Sequence, residues 1–122
     1  MIPLPNTEIH RIELALGIAI PVLYRDLLVK FGHGQHQDVE IYHPLEIADL
    51  YRHHFERDED LFGEYMPFGC NNRTQEIWLT RPKENLAAAI WHETHPDDYA
   101  EEAWLTYPDW LGRHAHLLSQ TG

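Results

Sequence analysis

Apolar residues recur at helical spacing twice within the first 31 residues. Ile9, Ile12 and Leu16, with the smaller Ala15, fall on one face of a first segment; Leu23/Leu27 and Tyr24/Leu28/Phe31 stripe a second. Thr7 followed by Glu8 predicts a capped, negatively charged helix start. Gly17 suits the left-handed residue that ends a helix, and Pro21 suits the first turn of the next, where a missing N–H costs nothing. Gly32 and Gly34 predict the second stop.

The period then changes. From Asp38 to Tyr42 polar and apolar residues alternate, predicting a strand with Val39 and Ile41 on one face. Pro44 allows a turn and a helix start. Leu45, Ile47, Ala48, Leu50 and Tyr51 carry a helical pattern towards Phe55. The run from Glu56 to Asp60 reads as a charged loop. Tyr65 to Gly69 reads as a short apolar segment ending in a turn, with turn chemistry from Asn71 to Thr74. Ile77–Leu79 and Ala87–Trp91 read as partners in an antiparallel hairpin joined through Thr80–Asn85. An acidic loop from His92 to Asp98, a strand-like Ala103–Thr106 and a closing helix from Tyr107 to about Leu118 complete the chain.

Strands grouped in the middle and helices at the ends predict one α+β domain over residues 1–122, not a doubly wound sheet. The expected architecture is a central, mainly antiparallel twisted sheet with an N-terminal helical pair, one crossing helix and a C-terminal helix.

Composition narrows the class. A chain of 122 residues with 43% hydrophobic content can bury one modest core. No apolar run approaches the roughly 20 residues that span a bilayer, and the N-terminus lacks a signal-like apolar stretch, so a cytoplasmic protein is expected. The single cysteine, Cys70, excludes an internal disulfide framework. Net charge is −11 and unevenly spread. Residues 38–64 hold nine acidic side chains against Arg52 and Arg57, and residues 84–109 hold seven with no Lys or Arg. Such a field repels nucleic acid and anionic membrane and draws basic proteins, although simple solubility accounts for it equally well.

Candidate chemistry is thin. Ten histidines invite a metal reading, and His92-Glu93-Thr94-His95 is the tempting cluster. Its histidines stand three apart rather than four and Pro96 follows at once, so the helical face that a zincin needs is lost. His33-x-x-His36, His53-His54 and His114-x-His116 each offer two ligands, but no cysteine pair completes a structural zinc site. The only serine is Ser119, which argues against a Ser-His-Asp triad, and Gly32-His33-Gly34 lacks the rest of any nucleotide fingerprint. No catalytic, cofactor-binding or metal residues are assigned. The four tryptophans, Trp78, Trp91, Trp104 and Trp110, divide between core and interface roles, at least two being expected inside.

The segment Ile12-Glu13-x-x-Leu16-Gly17-Ile18-x-Ile20-Pro21-x-x-Tyr24-Arg25-x-x-Leu28 resembles the opening of the SUKH superfamily. The likeness extends over about residues 7–113, through Phe31-Gly32-His33-Gly34, the strand at 38–42, Met66-Pro67-Phe68-Gly69, the strands around Trp78 and Trp91, and Tyr107-Pro108-Asp109-Trp110-Leu111. Cys70–Gln75 departs from the family, which tends to be rich in Gly and Asp there. The resemblance implies a non-enzymatic immunity protein that binds a cognate toxin domain, commonly encoded beside it, and occludes its active site. The charge favours a basic nuclease as that toxin. No site transfers residue by residue, so the expected partner-binding residues come from the acidic segment itself: Glu93, Asp97, Asp98, Glu101, Glu102 and Trp104. A regulatory or scaffolding module of the same fold is the alternative, and a small metal-dependent hydrolase the third.

Overall fold

A computed structural model describes residues 1–17, 19–47, 65–81, 83–91, 98 and 101–118. The two N-terminal stripes fold as helices α1 (Asn6–Leu16) and α2 (Val22–Lys30). Helix α1 begins earlier than Thr7 predicts: Pro5 is the cap residue, and its carbonyl accepts from Glu8 and Ile9 while Thr7 sits inside the first turn. Ile9 and Ile12 are buried, whereas Ala15 is exposed, so the apolar face is narrower than the spacing suggested. Gly17 adopts φ 70° and its N–H closes on the Glu13 carbonyl at 2.8 Å. Pro21 stands one position outside α2, as its cap residue, and Leu23, Tyr24, Leu27 and Leu28 form the buried stripe.

Glu13 knits the helical pair together. One carboxylate oxygen, Oε2, accepts from the Ile20 backbone N–H at 2.7 Å and from Arg25 Nη2 at 2.7 Å. A backbone donor ahead of a proline-capped helix thus finds its acceptor on the preceding helix, and the charge of Arg25 offsets that of the carboxylate.

The sheet is a six-stranded antiparallel meander in sequence order: β1 (Gly34–His36), β2 (Val39–Ile41), β3 (Met66–Asn71), β4 (Glu76–Arg81), β5 (Leu86–Trp91) and β6 (Leu105–Thr106). The α+β class is therefore as the pattern predicted, with one strand more. The pattern marks no strand at Gly34–His36, where Gly34 predicts a helix stop and glycine and polar residues carry little strand preference. Pairing with Val39–Ile41 across a two-residue turn makes it a strand all the same. The apolar segment after Tyr65 likewise continues through Gly69 to Asn71, and its turn lies at 72–75. Within β3, Pro67 pairs with Leu79 but Gly69 pairs with Trp78, so Phe68 and Gly69 together oppose Trp78 as a bulge. Bulges tolerate a proline that a regular central strand would not. A Cβ on Gly69 would lie 2.5 Å from the Glu40 carbonyl oxygen and 3.1 Å from Trp78 Cε3, so only glycine fits between these strands.

Helix α3 (Tyr107–Leu118) closes the chain over the same face as α1 and α2. Its Trp110 meets Trp78 and Phe68 edge-on, each with centroids 5.2 Å apart, and Phe68 in turn reaches Tyr24 of α2. Two hydroxyls pin the helices at long range. The Tyr24 hydroxyl donates to the Tyr42 carbonyl, and the Tyr107 hydroxyl donates to Asp26 Oδ2. The opposite face carries Ile77, Leu79, Ala88 and Ile90, buried with Tyr65 and Trp104. The predicted crossing helix is seen as a helical turn at 44–47; its continuation towards Phe55, and the charged run from Glu56 to Asp60, lie outside the described residues.

Candidate partner-binding surface

The acidic candidates divide. Glu93 and Asp97 lie outside the described residues. Asp98 and Glu102 are exposed, and Glu101 opens a 3-10 turn, Glu101–Ala103, just before β6. Trp104 must be corrected as an exposed anchor, for it is 6% exposed. It stacks on Tyr65 with centroids 5.5 Å apart and planes at 22°, and the Arg81 guanidinium lies 4.3 Å from its ring centroid. Such a sandwich fills the core of the second face and leaves little indole for a partner.

The exposed tryptophan is Trp91, at 64%. Strand alternation explains the difference. Ala87, Ala89 and Trp91 share the face of Trp78, but Trp91 is the last residue of β5 and does not join the core cluster on that face. Pattern alone could not separate Trp91 from Trp104, since each stands in a short apolar run flanked by polar residues. The register could have, because it places Trp91 in the outermost row, Val39–Asn71–Glu76–Trp91.

That row marks one end of the sheet. The β1–β2 turn at 37–38 and the β3–β4 turn at 72–75 meet there, joined by the Asn72 N–H donating to the Asp38 carbonyl at 2.8 Å. Glu76 lies directly opposite Trp91, and the Thr74 hydroxyl donates to its carboxylate. Strand β6 runs antiparallel to β5 with Leu105 opposite Ala87, so the chain at Glu101–Ala103 comes in from the Trp91 side. Exposed Asp38 and Glu102 and half-buried Glu76 are gathered at this end, with Arg73 as an exposed cation.

Reactive side chains elsewhere are built into the fold. Cys70 is buried beside Tyr42 and Glu40, and burial pushes its thiol above the ordinary range, which suits packing better than nucleophilic attack. Burial also raises the Tyr42 and Tyr24 hydroxyls, helped by the nearby Glu46 charge. Glu40 is raised first by burial and then by Glu46. His43 Nδ1 accepts from the Leu45 N–H at 3.1 Å, capping the helical turn at 44–47, while the His33 ring meets it edge-on at 4.7 Å. Burial, and then His33, lower the basicity of His43. His114 stacks on Trp110 and contacts its carbonyl through Nδ1 at 2.9 Å.

Among the described residues no group of three or more His, Cys, Asp or Glu side chains could hold a metal ion, and the 92–95 cluster lies outside them. No described helix is long and apolar enough to cross a membrane. No protein-family model matches the chain, and no curated protein matches it. The SUKH resemblance therefore rests on the motif residues themselves.

Proposed function

We propose that this chain is a non-enzymatic binding protein of the SUKH type, a cytoplasmic immunity protein that neutralises a cognate toxin domain by occluding its active site. The observation that supports this reading best is the helical pair knit by Glu13, Gly17, Pro21 and Arg25, set against an antiparallel meander through Tyr24. Among the described motif residues, Ile12, Glu13, Gly17, Ile20, Pro21, Tyr24, Arg25 and Leu28 each have a structural task, as expected of a scaffold that presents a surface. The charge of −11 favours a basic toxin, a nuclease in particular, captured through electrostatic steering.

The test is a pull-down from cells that express the adjacent open reading frame, paired with a protection assay. A near-equimolar partner bearing a toxin-like domain is the expected result. Charge reversal at Asp97, Asp98, Glu101 and Glu102 is expected to weaken protection. An empty pull-down, with no toxin-like neighbouring gene, would overturn the immunity role in favour of a regulatory module.

A further inference from the structure

We propose that the sheet end carrying Trp91 is a docking face for a basic protein, which places an arginine or lysine side chain between the Trp91 indole and the Glu76 carboxylate. The assignment rests on the binding-protein reading above and gives it a location. Directly opposed residues on neighbouring antiparallel strands project their side chains from one face, so the register sets the Trp91 and Glu76 side chains next to each other. The indole is 64% exposed, whereas Trp78, on the same face and strand pair, is fully buried. The hydrogen bond from Thr74 holds the Glu76 carboxylate in place.

A π-face beside an anchored anion is chemistry for a cation, and guanidinium suits it best because it stacks and donates at once. Exposed Asp38 and Glu102 join Glu76 at this end, and these carboxylates outnumber the exposed Arg73 beside them. A single cation over an exposed ring gains only a few-fold in affinity. A free small ammonium would thus bind too weakly to matter. A polycationic protein surface engages ring, carboxylate and surrounding field together, while the same field disfavours nucleic acid.

The test titrates isotope-labelled protein with a hexa-arginine peptide, using a Gly-Ser peptide of equal length as the comparator, and follows the four indole N–H resonances. The expected result is a saturable shift of the Trp91 signal with little movement of Trp78, Trp104 and Trp110. Trp91→Ala is expected to weaken binding roughly two- to fivefold, Trp91→Phe to restore part of it, and Glu76→Gln to weaken it several-fold. Glu84→Gln, at the opposite end of the same strand pair, should change it less than about twofold, as a screened surface charge does. Diffuse shifts across the surface, or unchanged affinity in Trp91→Ala with its fold verified by circular dichroism, would overturn the assignment. The toxin pull-down decides separately. A captured toxin indifferent to Trp91→Ala keeps the binding reading and removes this face, whereas saturable peptide binding without a toxin keeps the face and removes the immunity role.

Discussion

At the scale of single residues, Glu13 shows how one carboxylate can tie two helices together. It is 13% exposed and serves both a backbone donor and a guanidinium. Glu13→Ala leaves the Ile20 N–H without that acceptor and is expected to cost about 2 kcal/mol in urea unfolding. Arg25→Ala, which removes only a half-exposed partner, should cost about 1 kcal/mol or less. Glu13→Gln, which keeps an acceptor but no charge, should fall between them. His43 carries a different dependence. It accepts at Nδ1 only when that nitrogen is unprotonated, and its folded pKa lies below the ordinary value. The unfolded chain therefore binds more protons below about pH 6.5, and stability should decline as pH falls from there towards the folded pKa. His43→Asn supplies a cap that does not titrate, so it should flatten this part of the stability–pH profile in denaturant melts. The groups facing His43 are His33, Glu46 and Glu8, and His33→Gln should raise the pKa of His43 when followed by NMR.

At the scale of elements, the hairpins are held by turns that use residues other than glycine in the left-handed region: Gln37 at φ 56°, Gln75 at φ 62° and Asn85 at φ 53°. Gln37 makes the cleanest test, because the acceptor used in its turn is its backbone carbonyl rather than its side chain. Gln37→Gly should stabilise by about 0.5 kcal/mol, relief of the left-handed strain outweighing the added chain entropy, and should raise the urea midpoint. The same turns explain what the sequence could reveal. Helices α1, α2 and α3 and the β4–β5 hairpin were legible because their apolar periods are long or their flanking Pro, Gly and Asn are specific. Strand β1 was hidden, since Gly34-Gln35-His36 becomes a strand only through its partner. The bulge at Phe68–Gly69 was hidden too, because a skipped register belongs to the pairing of two strands and leaves no mark on either. For the binding surface, the acidic bias was plain, but the choice between Trp91 and Trp104 turned on which row of the sheet each occupies.

At the scale of the whole molecule, a net charge of −11 meets one exposed indole at the end of a meander whose other described tryptophans are enclosed. Recognition and folding can thus draw on different residues. The strand order has a kinetic consequence. Because each strand pairs only with its neighbours in sequence, contacts within β3–β5 close short loops, while the N-terminal pair must wait for a sheet to pack against. The β3–β5 unit is expected to be formed in the folding transition state and the α1–α2 pair to dock afterwards. In stopped-flow chevrons, Trp78→Phe should therefore slow folding, whereas Glu13→Gln should leave the folding rate nearly unchanged and speed unfolding. The motif that carries the family resemblance would then govern how long the native state lasts, and the hairpins how quickly it is reached.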